Sequence, residues 1–266
     1  MENAGSAPVA PRHGSANDAP RVAVFRPDDE RIDDAVDLLS ALGADPVPDP
    51  MLAVDPTDAT PEGAEYVVLT SKTGVELAAA AGWEPSASTL VAIGPATAAA
   101  AREAGWPVDI VPDEYTSTGL VERLREEVDG VRVEVARSDH GSDVLLDGLR
   151  DAGAEVVETV LYRLTRPDGA GESAELAAAG DLAAAAFTSS LTVEHFLDAA
   201  EERGLRAEAI AGLNDAVVGA IGAPTAATAA AHGIDVDVVP DDAEFEALAR
   251  AVVEALDTVD AGSNEV

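Results

Sequence analysis

The stretch IGPATAAAAREAG at Ile93–Gly105 returns as IGAPTAATAAAHG at Ile221–Gly233. The echo runs on past the glycine, WPVDIVPD against IDVDVVPD, so that 12 of 21 aligned positions are identical without a gap. Repetition at this length constrains the fold more than any other feature of the chain, because each copy needs the same kind of partner surface to bury its apolar side. The repeat is also larger than this pair. RVAVFRPD with LLSALGA (Arg21–Ala44) is echoed by RVEVARSD with LLDGLRDAGA (Arg132–Ala154), and VVLTSKTGVEL (Val67–Leu77) by AAFTSSLTVEHF (Ala185–Phe196). Each half therefore holds a strand ending in Arg, a strand ending in Thr-Ser and a strand ending in Ile-Gly.

Short β-branched or apolar runs alternate with Ala/Leu-rich stretches throughout. Strands are predicted at Arg21–Phe25, Glu65–Thr70, Thr89–Gly94, Val108–Val111, Val131–Ala136, Glu155–Tyr162, Ala183–Phe187, Ala216–Gly222 and Val236–Val239. Helices are predicted between them, among others at Asp29–Leu42, Ala96–Ala104, Ser117–Glu127, Asp143–Ala152, Val193–Arg203 and Glu244–Leu256. Continuous apolar strands separated by helices belong to parallel sheets covered on both faces. The expected class is α/β, as two similar units with a ligand cleft between them.

Composition narrows the chemistry. With no cysteine among 266 residues, disulfides, thiolate metal sites and cysteine nucleophiles are excluded. No run of about 18 apolar residues occurs, so no membrane span is expected. The first 20 residues lack the pattern of a secretory signal and read as a disordered leader, which makes a cytoplasmic location the simplest expectation. The net charge is −35, and Lys72 is the only lysine among 16 basic residues. Acid spread along the whole chain fits a protein working in molar salt, where repulsion between carboxylates is screened within about 3 Å. A nucleic-acid partner is excluded, since no basic face is present to meet a phosphate backbone.

In open parallel sheets ligands bind beyond the carboxyl ends of the strands, where helix N-termini offer free amides. The repeated features lie there. Gly94 and Gly222 are expected to let the chain turn sharply and a ligand approach closely. Thr97 and Thr225 follow in the first helical turn, where a hydroxyl can cap the helix or donate to a carboxylate. Thr70-Ser71 and Thr188-Ser189 end matching strands with the same two readings, anion binding or capping. Arg26 and Arg137 end the first strand of each half, and Lys72 follows Ser71 directly; each could meet an anionic ligand or a surface carboxylate. The nucleotide-binding glycine loops and the G-x-S-x-G elbow are missing, and His13, His140, His195 and His232 have no metal-ligand spacing. These parts suit a polyanionic ligand held from both halves.

LTSKTGVEL, AIGPATAAAAREAG, VETVLYRLTRP, FTSSLTVEHF and AIGAPTAATAAAHG, in this order and spacing, resemble uroporphyrinogen-III synthase from about Arg21 to Leu256. The resemblance implies cyclisation of hydroxymethylbilane, a linear tetrapyrrole with eight carboxylates, to uroporphyrinogen III with inversion of the last ring. It implies no metal or organic cofactor, a monomer, and a substrate handed over by hydroxymethylbilane synthase. It also implies a discontinuous first domain, residues 21–54 plus 164–258, and a second of residues 55–163, with a two-strand hinge near Asp55 and Leu164 and an acidic tail over 259–266. The family's cleft tyrosine maps to Tyr162, the candidate general acid. Ser71, Thr97, Ser189 and Thr225 match cleft positions, and Arg26 and Arg137 match basic strand ends. The alternative from another class is a clamshell protein that binds an anionic small molecule and does no chemistry.

Overall fold

A computed structural model describes residues 19–263. The expected leader up to position 18, with His13, and the last three positions of the expected tail lie outside the described residues. In chain order the elements begin with β1 (Arg21–Phe25), α1 (Glu30–Ala41), β2 (Asp45–Pro48), β3 (Ala53–Pro56), β4 (Tyr66–Leu69), α2 (Lys72–Ala80), β5 (Thr89–Ala92) and α3 (Pro95–Glu103). There follow α4 (Ser117–Leu124), β6 (Arg132–Ser138), α5 (Asp143–Asp151), β7 (Glu155–Thr165), α6 (Glu172–Ala179) and β8 (Ala184–Phe187). The chain closes with α7 (Ser190–Glu202), α8 (Arg206–Asn214), β9 (Val217–Ala220), α9 (Ala223–Ala231) and α10 (Phe245–Ser263), so helix runs on into the stretch expected as a tail.

Contacts divide the chain into two compact units, one of Met1–Ala53 with Thr165–Val266 and one of Val54–Leu164. Unit 1 holds a sheet of order β2-β1-β8-β9 and unit 2 a sheet of order β3-β7-β6-β4-β5. The pairings within β2-β1-β8-β9 and within β7-β6-β4-β5 are all parallel. The strands expected at Val108–Val111 and Val236–Val239 shrink to isolated parallel bridges, Ile110 with Val91 and Val238 with Gly219. These runs still hold the far edge of each sheet, because the Asp109 and Asp237 carboxylates accept the Leu90 and Val218 amides at 2.8 Å.

The strands form where they do because apolar residues occupy both faces. In β1, Val22 and Val24 pack against α1 and α10, while Ala23 and Phe25 join the opposite core around Phe187 and Phe196. Phe25 and Phe187 stack with centroids 4.5 Å apart, and Phe196 meets both edge-on. In β4 the same alternation sends Val67 and Leu69 to one core and Val68 to the other.

β2, with the sequence DPVP, escaped the sequence reading because prolines argue against a strand. Here the Asp45 amide donates to the Pro20 carbonyl and the Asp49 amide to the Val24 carbonyl. Alternation therefore turns the nitrogens of Pro46 and Pro48 to the open edge, where no donor is needed and further pairing is blocked. Asp49 itself is buried and accepts the Gly171 and Ser173 amides at 2.8 and 2.9 Å, which caps α6 from a distant part of the chain. No helix among the described residues is long and apolar enough to cross a membrane.

Candidate functional site at the strand ends

In unit 2 the crossovers leaving β4 and β6 run to opposite sides, so a crevice opens beyond the carboxyl ends of these two neighbours. A pocket of about 190 Å³ lies there, lined among others by Thr70, Ser71, Ser117, Arg137, Ser138 and Tyr162. Three helices start around it. Ser71 caps α2 by accepting the Gly74 amide, Thr116 caps α4 by accepting the Gly119 amide, and Ser142 caps α5 by accepting the Val144 amide. Each helix end adds partial positive charge, which gives an anion-favouring spot in a chain of net charge −35.

Tyr162 is buried, and its hydroxyl donates to Ser71 Oγ at 3.0 Å. Ser71 Oγ also accepts the Gly74 amide at 3.0 Å, so both of its acceptor positions are filled and its own O–H is left to point at a ligand. Thr70, at the mouth of the pocket, donates its amide to the Ala136 carbonyl at 3.4 Å. Lys72 is outside the pocket lining; its ammonium lies 3.4 Å from Glu76 on an exposed helix face. Arg137 is 3 % exposed and engaged: Nε donates to Glu158 at 2.6 Å, Nη1 to the Ser142 carbonyl at 2.7 Å, and Nη2 lies 3.6 Å from Asp143.

The matched glycines act differently from expectation. Gly94 and Gly222 have φ −165° and −172°, extended values open to any residue, so neither is needed for backbone freedom. At Gly94 space is tight: a Cβ there would stand 3.3 Å from Tyr115 Cβ and 3.4 Å from its Cγ, so the exposed Tyr115 would have to give way slightly. A Cβ on Gly222 would meet only Pro224 at an ordinary 3.9 Å. The capping reading of Thr97 and Thr225 fails as well. Both are buried in the first turn of α3 and α9, and neither helix has a side-chain cap. The first-turn amides of Thr97 and Thr225 thus have no capping side chain.

In unit 1 the corresponding reversal falls between β1 and β8. Thr188 donates its hydroxyl to the Phe25 carbonyl and ties the two strand ends together. Ser189 caps α7 in a capping box with Thr192. Arg26 forms no ion pair among the described residues, and its Nε is buried without a hydrogen-bond partner. Its guanidinium lies 4.7 Å from the centroid of the Phe245 ring. Burial, then repulsion from Arg31, lowers its pKa, against the attraction of Asp29, Asp34 and Glu244.

Sequence reading passed over Ser117, Ser138, Ser142 and the carboxylates around Arg137. Their signal was present in YTSTGL and RSDHGSD, clusters of Ser, Thr and Asp where helices begin. His140, in the second cluster, is half-exposed and contacts Asp139 at 2.8 Å. Burial opposes the charge on Asp139, but hydrogen bonds from His140 and from the Leu164 amide prevail and hold its carboxyl below the ordinary 3.8. A carboxylate lowered in the folded state stabilises above its unfolded pKa, and that contribution disappears as pH falls through the folded value. The stability gap between wild type and Asp139→Asn is thus expected to be full at neutral pH and to close below about pH 4. Urea titrations at pH 7 and pH 3 would measure it, and a gap independent of pH would overturn the assignment.

The sequence model of the family described as Uroporphyrinogen-III synthase HemD matches residues 33–250. The chain belongs to that family. A candidate uroporphyrinogen-III synthase of Methanothermobacter thermautotrophicus is 40% identical over 146 residues, which cover 53% of this chain and 57% of that protein. The matched stretch thus spans little more than half the length of this curated family member. Among solved structures, a mutant uroporphyrinogen-III synthase of Thermus thermophilus superposes with TM-score 0.66 at 21% identity, over 90% of this chain and 100% of its own. The Helicobacter pylori uroporphyrinogen-III synthetase gives TM-score 0.55 at 15% identity, over 88% of this chain and 99% of its own. At these identities the structural likeness shows the fold, which this chain shares with family members.

Proposed function

We propose that the protein is a uroporphyrinogen-III synthase that takes hydroxymethylbilane, loses water and closes the macrocycle with the last ring inverted. The observation that carries this reading is the Tyr162–Ser71 pair, set beside a crevice ringed by helix N-termini in a chain of this family. Departure of the hydroxyl from the hydroxymethyl carbon breaks a C–O bond, needs one proton and leaves an azafulvenium cation. The substituted carbon of the terminal ring attacks this cation. The resulting spiro-pyrrolenine fragments and recloses through the free α-carbon, which gives up its hydrogen as a proton. The balance is loss of one water.

Tyr162 and Ser71 supply the proton in this scheme. The phenol donates to Ser71 Oγ, whose own O–H faces the leaving group, so the serine delivers and the tyrosine replaces. A phenol both donates and accepts, so it can pass its proton to Ser71 and be recharged from solvent. The rest of the task is positioning, because the bilane also closes unaided, without inversion. The amides of Thr97 and Thr225, the hydroxyls at Thr70 and Thr188, the caps Ser71 and Ser189, and the unpaired Arg26 bind its carboxylates. Gly94 and Gly222 keep bulk away from the amides, and Lys72 adds a mobile charge.

The protein works in the cytoplasm of a salt-loving cell, where salt screens the repulsion between a chain of charge −35 and an octacarboxylate. Hydroxymethylbilane synthase would generate the substrate in place in molar KCl, and the oxidised products would be resolved into uroporphyrins I and III. Isomer III is expected with the protein present. Persistent isomer I from a folded sample would overturn the function. Diluting the salt to about 50 mM is expected to abolish most activity together with the native far-UV spectrum; full activity there would overturn the halophilic reading.

A further inference from the structure

The pocket beyond β4 and β6 contains more polar apparatus than the proton relay uses. Ser138 is 9 % exposed, lines the pocket and has no hydrogen bond on its hydroxyl. Ser117, in the first turn of α4, likewise leaves its hydroxyl without a partner. Neither hydroxyl is sealed off from solvent, so water pairs with each until a ligand takes its place. The volume, about 190 Å³, equals that of about six waters, enough for a carboxylate on a short aliphatic stem.

Arg137 supplies the charge. It is fixed from three sides by Glu158, the Ser142 carbonyl and the backbone of Gly141, where a Cβ would come within 2.5 Å of Arg137 Cδ and 2.6 Å of Nη1. Of its five N–H groups, two are committed to good hydrogen bonds. The remaining direction, through Nη2, holds only Asp143 at 3.6 Å, whose side chain is 86% exposed. So long and so wet a contact is worth little and is easily exchanged.

We infer that this pocket is the subsite for one carboxylate arm of the tetrapyrrole, received by Ser117, Ser138 and Arg137 Nη2, and that Asp143 occupies Arg137 until the arm replaces it. The inference rests on the proposed function for the identity of the ligand. Removing the resident carboxylate should therefore tighten binding, whereas removing a serine should weaken it. A site for cations, or a merely structural ion pair, would not give this opposition of signs.

The test is a titration of the full chain in molar KCl with uroporphyrin I, an octacarboxylate, followed by quenching of its fluorescence, beside steady-state kinetics with hydroxymethylbilane. Asp143→Asn is expected to lower the Kd and KM about two- to fivefold. Ser138→Ala is expected to raise both about three- to tenfold, with kcat changed less than twofold. Ser117→Ala gives the same reading should Ser138→Ala fail to fold. Asp151→Asn, at the far end of α5, removes the same charge away from Arg137 and should leave the Kd unchanged. If wild type makes isomer III but Asp143→Asn and both serine variants bind as wild type does, the subsite is wrong and the function stands. If wild type makes no isomer III but the variants shift the Kd in opposite senses as stated, the function fails and the pocket remains a carboxylate site. Equal tightening by Asp151→Asn reduces the Asp143 effect to net charge and overturns the exchange.

Discussion

Tyr162→Phe is expected to lower kcat by about ten- to a hundredfold while KM stays within about twofold and isomer III remains the product. Proton transfer by a placed side chain contributes typically 10²–10⁴-fold. The lower part of that range applies because electron release from the pyrrole nitrogen already assists loss of the hydroxyl. The phenylalanine ring refills the space in the core beside Val67, Leu69 and Leu161, and Ser71 still caps α2 through the Gly74 amide. Only the hydrogen bond from the phenol is lost, a stability cost of about 1 kcal/mol. The coupled isomer assay with single-turnover rates measures all three quantities. An unchanged kcat would remove Tyr162 from the chemistry. A switch to isomer I would instead make it a residue that holds the terminal ring.

Gly212→Ala is expected to be among the most damaging single-methyl changes in the chain. Gly212, on α8, faces α6 where a Cβ would stand 1.8 Å from the Ala177 carbonyl oxygen and 2.6 Å from its carbon. Backbone cannot swing aside as a side chain can, and the same oxygen accepts the Gly180 amide that ends α6. Alanine gains about 1 kcal/mol of helix propensity over glycine. Forcing two helices apart over a tightly packed seam costs about 3 kcal/mol or more, so the clash decides the sign. A net loss of about 2 kcal/mol corresponds to a fall of about 4–8 °C in Tm for a protein of this size. Thermal unfolding by far-UV circular dichroism in molar KCl checks this, and a midpoint at or above that of wild type would overturn it.

The α/β class was legible because strands buried on both faces have to be apolar at every position, as AAAF and VVGA are in β8 and β9. Helix starts were legible where Ser or Thr precedes an apolar period, at Thr116 and Ser142, whereas the helix capped by Ser189 begins three residues before the expected Val193. The runs around Ile110 and Val238 misled, because β-branched residues close to a sheet edge look like strand even where one bridge is all the pairing they make. β2 was hidden for the opposite reason: its prolines are compatible with pairing on one side alone, and sequence does not say which side is open.

The candidate site divides along the same line. Sequence by itself determined that two related α/β units exist and that Arg, Thr-Ser and Ile-Gly stand at corresponding strand ends in both. It could not determine what each matched residue does, since that depends on partners far away in the chain. Arg137 is drawn onto Glu158, 21 positions on, whereas its counterpart Arg26 meets the ring of Phe245 and forms no ion pair among the described residues. Gly94 lies close against Tyr115, and Gly222 has room for a Cβ in ordinary contact with Pro224. Local pattern fixes backbone and register through the periodicity of strands and helices; the charge state, hydrogen-bond capacity and free volume at a strand end are properties of the tertiary neighbours, and those differ between the two copies.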